Sequence, residues 1–240
     1  MKTFLSKQIR KQQFNPGFLG IFINPFYFVR KALYENTLAL AKNITGKTLD
    51  IGCGYKPYES LFSETTEYIG IDYDSPENKK NTKIDVFYSG HKFPFNDSTF
   101  DSAVLTQVLE HIFNPDEFLS EINRVLKKNG KLLLSVPFVW DEHEQPRDYA
   151  RYSSFGISHI LKEHGFKIIE KRKTLNDVRV IFQLINCYIH KKIPAKNYKV
   201  RLCFYVVFIT PFTLLGIIFS KILPKNDDLY MDNIILAEKI

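Results

Sequence analysis

Apolar and polar positions along this chain keep two rhythms. From about Lys47 onward, short apolar runs of strand length alternate with stretches of helical period, the pattern of an α/β protein with a parallel sheet. The apolar runs predict strands over 47–51, 67–72, 82–86, 100–106, 130–137, 166–173 and 232–239. A helix is well punctuated after the fourth of them. Asn114 stands at the capping position, Pro115 opens the first turn, and Asp116 and Glu117 meet the positive end of the helix dipole. Phe118, Leu119, Ile122, Val125 and Leu126 follow helical spacing, and Asn129-Gly130 is the expected stop.

Two regions break the alternation. Residues 14–41 are rich in Phe, Ile and Leu and are interrupted by Pro16 and Pro25, which predicts a broken apolar helix. Residues 175–226 form a long apolar insertion before the last strand. The expected division is therefore a basic, apolar helical extension over 1–46, a catalytic core over 47–174, the insertion over 175–226 and a closing strand within 227–240.

Charge sharpens that division. Residues 1–47 carry eight Lys or Arg against Glu35 alone, residues 48–170 carry 13 against 20 acidic residues, and residues 171–201 carry nine against Asp177. A basic stripe beside the chemistry is what phosphate backbones require, so nucleic acid is not an expected partner. Basic flanks around an acidic middle suit an anionic membrane surface better. Cys53, Cys187 and Cys203 form no CxxC pair, so neither a disulfide framework nor a metal site is expected, and a reducing cytoplasm fits. Lys7, Arg10 and Lys11 follow Phe4 and Leu5 too closely for the apolar core of a signal peptide, so secretion is not expected.

The candidate chemistry begins at Asp50-Ile51-Gly52-Cys53-Gly54, a buried strand entering a turn with two glycines, where a ligand can approach the backbone closely. The helix expected to follow would offer its N-terminal amides to an anionic group. Asp72 ends the second strand 20 residues after Gly52, at the spacing where a carboxylate can accept both hydroxyls of a ribose. Asp85, ending the expected third strand, can accept from an adenine amino group while the Val86 amide donates to a ring nitrogen. Any one carboxylate is equally a solvated strand end, but three in register after three strands form a nucleotide-like cradle. Lys56-Pro57 stands where a dinucleotide fingerprint carries its third glycine, which disfavours NAD and leaves a cofactor without a pyrophosphate.

The blocks LDIGCG, GIDYD, FPFNDSTFDSAVLTQVLEHIFNPDEFLSEINRVLKKNGKLLLSVP and RDYARYSSFGISHILKEHGFKIIE resemble the type 11 domain of class I methyltransferases over roughly residues 47–173. The resemblance implies a Rossmann-like, doubly wound, seven-stranded sheet, mostly parallel with the last strand antiparallel. It implies S-adenosyl-L-methionine as cofactor. Asp50, Gly52 and Gly54 would line the methionine part, Asp72 the ribose, Asp85 and Val86 the adenine, and Thr106 and Gln107 the sulfonium, with Cys53 and Tyr73 also expected among the cofactor-binding residues.

Methyl transfer disperses a positive charge, so alignment in a dry pocket supplies most of the acceleration. An acceptor hydroxyl, amine or carbon also calls for a base, and the candidates are His111, in LEHI, and His143 with Asp148, in DEHEQPRDYARY. His111 reads equally as a residue that orients its loop. Arg147, Arg151 and Tyr152 resemble a family pattern that orders a lid over the substrate.

Residues 202–220 hold no charge and are long enough to cross a bilayer. A single crossing would leave the closing strand on the wrong side. An interfacial helix is therefore expected first, a soluble cap or homodimer face second, and a hairpin spanning with 178–193 last. The hairpin would place Gln183 and Asn186 in lipid. Peripheral membrane contact is expected through 14–41 and 198–221, on the cytoplasmic face, with a small-molecule or lipid-linked acceptor. The rival readings are a nicotinamide-dependent oxidoreductase and a non-catalytic cofactor-binding module at a membrane surface.

Overall fold

The computed structural model describes residues 11–194 and 197–240; the N-terminal residues read above for a signal peptide lie largely outside them. The chain divides into two compact units.

The larger unit, Asn36–Phe138 with Glu142–Arg172 and Asp232–Ile240, is built on a sheet of seven strands. These are β1 (Gly46–Ile51), β2 (Thr65–Tyr73), β3 (Val86–Tyr88), β4 (Phe100–Thr106), β5 (Leu126–Pro137), β6 (Phe166–Lys173) and β7 (Asp232–Lys239). Their order is β3-β2-β1-β4-β5-β7-β6. β1, β2, β3, β4 and β5 pair in parallel, whereas β7 runs antiparallel to β5 with Leu133 opposite Leu236. Central strands covered on both faces are buried at successive positions: Ala103, Val104 and Leu105 of β4, Leu132, Leu133 and Leu134 of β5, and Ile234, Ile235, Leu236 and Ala237 of β7. Edge strand β6 is buried only at Phe166 and then alternates exposed and partly buried positions through Arg172.

The sheet departs from expectation in four places. The third strand lies at Val86–Tyr88 rather than 82–86, because Val86 is the residue that pairs with Ile71; Asp85 therefore precedes the strand instead of ending it. The expected helix after β1 is absent: Glu59–Leu61 forms a single 3₁₀ turn. Pro57 disfavours helical backbone at the residue before it, and Lys56 takes a φ of 52°. Helix α2 (Pro115–Val125) does begin at Pro115, but Asn114 bonds to the Glu117 carboxylate and leaves the first amides uncapped by its side chain. α2 also stops four residues before Asn129, since Leu126 is already extended and enters β5. Its apolar face, Phe118, Leu119, Ile122 and Val125, is buried as the spacing required, together with Ile157 and Leu161 of helix α3 (Ser154–Glu163).

The smaller unit comprises the described residues up to Glu35, Val139–Asp141 and Lys173–Met231. The described part of the N-terminal extension up to Glu35 and the insertion, separate in the linear reading, thus belong to one body, whereas residues 36–46 of the extension join the larger unit. It contains a short turn of helix at Gly20–Ile23, the first half of α1 (Tyr27–Ala41), α4 (Arg179–Lys192) and a long helix α5 (Tyr198–Phe219). The breaks at Pro16 and Pro25 are where the sequence placed them. Inside α5 the segment Tyr205–Ile209 widens to a π-turn just before Pro211, whose ring and missing N–H disturb the preceding turn. Gln183, fully buried on α4, accepts from the Phe28 and Val29 amides at 3.1 and 3.3 Å and donates to the Pro25 carbonyl at 2.9 Å. One side chain thereby satisfies three backbone groups at the start of α1. Asn186 donates to the Thr213 hydroxyl at 3.0 Å, so both buried amide side chains of α4 serve packing within the unit.

Candidate cofactor and acceptor site

The strand order reverses between β1 and β4, and ligands of open α/β sheets lie outside the carboxyl ends of the strands at that point. The turn after β1 and the turn after β4 meet there. Gly52 has a φ of 66°, and a Cβ on it would lie 2.5 Å from Val108 Cγ2. Gly54, with a φ of 48°, faces the other way in this respect: a Cβ there would meet nothing within 4 Å among the described residues. The glycine turn is thus packed on one side and open on the other, which is a cradle.

Side chains fix the cradle. Asp72 Oδ2 accepts from the Gly54 amide at 2.9 Å, and its Oδ1 accepts from the Tyr73 amide at 2.7 Å and from Asn78 Nδ2 at 3.0 Å. Asn81 Nδ2 donates to the Gly54 carbonyl at 2.6 Å. The Gly52 and Cys53 amides both donate to the Ile71 carbonyl, at 2.9 and 3.2 Å, tying the turn to β2. Asp50 is buried, which pushes its carboxyl up to about 7 despite the hydrogen bond from the Tyr68 hydroxyl. Cys53 is buried too, and burial pushes its thiol up, so it is no nucleophile at neutral pH.

Asp85 accepts from the Gly70 amide at 2.6 Å and pairs with Lys56. Burial works upward on its carboxyl, but the Gly70 amide and the Lys56 ammonium outweigh it and hold it below the usual carboxylate range. Val86 opens β3 beside Ile71, Thr106 ends β4 opposite Ser135, and Gln107 turns out of the sheet with a φ of 56° while its amide donates to the Ser135 carbonyl at 3.0 Å. All ten expected cofactor residues therefore lie on the carboxyl ends of β1, β2 and β4 or at the start of β3. Sequence reasoning missed Tyr68, Asn78, Asn81 and the positive role of Lys56, which it read only as an obstacle to NAD. Lys56 is a buried lysine beside a carboxylate, which only the fold brings together.

The candidate base residues lie on the 3₁₀ turn Leu109–His111 and the loop 142–152. His111 Nδ1 donates to the Arg147 carbonyl at 2.5 Å, and the Arg147 guanidinium lies 5.0 Å from the centre of the Tyr73 ring, next to Asp72. The loop is thus anchored to the end of β2. The His111 and His143 rings stand edge to face with centres 4.7 Å apart. Asp148 accepts from the His143 amide at 2.9 Å and from both Arg151 terminal nitrogens at 2.6 and 2.7 Å, and its Oδ2 is 3.3 Å from His143 Nδ1. Arg151 holds the Asp148 carboxyl far below the usual range, so it stays charged. His111, His143 and Asp148, expected separately from the sequence, therefore form one cluster. Glu110, which the sequence reading passed over, is fully buried beside them; burial pushes its carboxyl up to about 8.

The sequence profile of the family described as "Methyltransferase domain" matches residues 26–171. An uncharacterized protein of Methanocaldococcus jannaschii is 28% identical over 160 residues, covering 60% of this chain and 76% of that protein. A probable S-adenosylmethionine-dependent methyltransferase of Mycolicibacterium smegmatis is 30% identical over 105 residues, 41% of each chain. The ubiquinone biosynthesis O-methyltransferase of Pelagibacter ubique is 28% identical over 134 residues, 50% of this chain and 51% of that one. The chain spans about half or less of these two named relatives. Among solved structures, Haemonchus contortus phosphoethanolamine N-methyltransferase 2 in complex with S-adenosyl-L-methionine aligns over 96% of this chain and 60% of that one, with a TM-score of 0.55 and 20% identity. The [4+2]-cyclase SpnF aligns over 88% and 81%, with a TM-score of 0.55 and 18% identity; at such identities the likeness concerns the fold. A family match over more than half of the chain, on the β3-β2-β1-β4-β5-β7-β6 sheet and its open glycine cradle, places this protein in the methyltransferase-domain family as a class I S-adenosylmethionine-dependent methyltransferase.

Proposed function

We propose that this methyltransferase acts on a small or lipid-linked acceptor through an oxygen atom, at the cytoplasmic face of a membrane. The observation that carries the acceptor side is the His111, His143 and Asp148 cluster, tied through Arg147 to the end of β2. The cofactor, when bound, supplies a methyl group on a sulfonium. Gly54 gives it open backbone, Asp50 lies beside the cradle for its methionine end, and Asp72 and Asp85 stand at the ribose and adenine positions. His143, oriented by the permanently charged Asp148, is the group placed to take an acceptor proton, and His111 holds the loop. The name of the Pelagibacter relative, an O-methyltransferase, supports an oxygen acceptor. In calorimetry, S-adenosylhomocysteine is expected to bind and NAD to show no measurable heat. Asp72→Ala, which removes the carboxylate holding Gly54, is expected to abolish binding while circular dichroism stays native; undiminished binding would sink the cofactor assignment.

The membrane reading rests on α5, whose mean hydropathy is 2.3 and of whose most apolar window only 28% is buried. Val206, Val207, Phe208, Leu214, Leu215 and Ile218 are exposed on it. Its 22 residues meet the length needed to cross a bilayer, but the chain returns to β7 in the sheet, and α4, with 14 residues or about 21 Å, is too short to make the second crossing. An interfacial helix flanked by Lys191, Lys192, Lys199, Arg201 and Lys221 accounts for both facts. The protein is expected to sediment with vesicles containing anionic phospholipid and to be released by high salt. Recovery in the supernatant at low salt would refute this reading and leave a soluble cap or homodimer face.

A further inference from the structure

We propose that Glu110, His111 and His143 form a binding site for a divalent first-row metal ion, which takes the oxygen of the methyl acceptor as a further ligand. The proposal rests on the acceptor-side reading above and adds a cation to it.

Glu110 presents the anomaly. Both of its carboxylate oxygens are buried and, among the described residues, no other residue hydrogen-bonds to either, although burying such a group unpaired costs several kcal/mol. One ligand atom from each of Glu110, His111 and His143 lies within 4.8 Å of the other two. Ligands on one ion with bonds of about 2.1 Å stand about 3–4 Å apart, so modest rotation of two imidazoles closes the set.

The imidazoles are prepared for ligation. A carbonyl only accepts, so the 2.5 Å contact with the Arg147 carbonyl puts a proton on His111 Nδ1 and leaves Nε2 with its lone pair. That Nε2 is 3.9 Å from Glu110 Oε1 and 3.8 Å from Oε2 of the exposed Glu144 at the rim. His143 Nδ1 lies 3.3 Å from Asp148 Oδ2 and 3.5 Å from the Arg151 guanidinium. A carboxylate behind an imidazole and a carbonyl behind the other are the arrangement that orients histidine ligands. Two nitrogens and a carboxylate favour zinc, cobalt or manganese over magnesium or calcium, and three protein ligands leave a coordination position open.

With a cation bound, His143 would serve as a ligand in place of the proton-accepting role it has without one, and the metal would lower the pKa of a bound hydroxyl. The acceptor oxygen keeps its electron pair for the new bond to the methyl carbon, its proton passes to solvent, and the carbon–sulfur bond breaks with its pair left on sulfur.

The test uses the full chain after chelator treatment. Calorimetry with Zn²⁺ is expected to show one site per chain, and Co²⁺ is expected to give visible absorption of low-coordinate nitrogen and oxygen ligation. Glu110→Gln, which keeps the shape of the side chain, and His143→Ala, on the partly exposed loop, should each weaken Zn²⁺ binding at least about tenfold while S-adenosylhomocysteine affinity holds. Absence of Zn²⁺ binding by the native chain, or binding undiminished in both variants, would overturn the proposal. Loss of S-adenosylhomocysteine binding by the native chain would strike the cofactor reading instead.

Discussion

The two glycines of the turn after β1 do different work, and substituting each by alanine separates them. At Gly52 the added Cβ would sit 2.5 Å from Val108 Cγ2 and 2.9 Å from its Cγ1, with the backbone at a φ of 66°. Left-handed backbone costs an L-residue about 1–2 kcal/mol. Overpacking against a β-branched neighbour that cannot swing away adds about 1–3 kcal/mol. Gly52→Ala should therefore lose about 2–5 kcal/mol, which for a chain of this size lowers the melting temperature by roughly 5–15 °C. At Gly54 the φ of 48° carries the same backbone cost, but a Cβ meets nothing within 4 Å. Gly54→Ala should lose only about 1–2 kcal/mol, yet its methyl group enters the space left for the cofactor and should weaken S-adenosylhomocysteine by at least about tenfold. Thermal and urea unfolding of both variants, with calorimetry on the folded protein, measure the two effects. Native affinity in Gly54→Ala, or equal stability losses in the two variants, would refute the cradle.

Two other expectations follow from buried polar groups. Asp50 has a carboxyl raised to about 7 in the ligand-free chain, and pairing with the amino group of the cofactor's methionine end would favour its charged form. Binding then releases a proton, so S-adenosylhomocysteine affinity should level off above pH 7 and fall by up to about tenfold per unit below it; a flat profile between pH 5.5 and 8 would remove Asp50 from that role. Gln183→Leu leaves the amides of Phe28 and Val29 and the carbonyl of Pro25 without their partner, and should cost about 2–5 kcal/mol in urea unfolding, whereas a loss below 1 kcal/mol would show that other groups replace it.

Much of the sheet was legible in the chain. Central strands carry short apolar runs, Ala103-Val104-Leu105, Leu132-Leu133-Leu134 and Ile234-Ile235-Leu236-Ala237, so β4, β5 and β7 announced themselves, and Asp50, Gly52, Gly54 and Asp72 could be placed by their spacing. The third strand slipped because β3 is three residues long and its register is set by Ile71 across the ladder, not by its own pattern. The helix expected after β1 failed because Lys56-Pro57 controls local backbone there more strongly than the topology does.

What the sequence determined by itself is the periodicity of each element and the residue types at its ends, because both are local properties of the chain. Tertiary structure alone decided which distant polar groups meet. Asp72 reaches the Gly54 amide across 18 positions, Lys56 reaches Asp85 across 29, and Gln183 reaches Phe28 across 155. Glu110 is an ordinary acidic residue in the sequence and becomes a buried, unpaired carboxylate between two histidines only when the loop 142–152 folds against the turn after β4. Burial and proximity set its chemistry, and neither is written in any local stretch of residues.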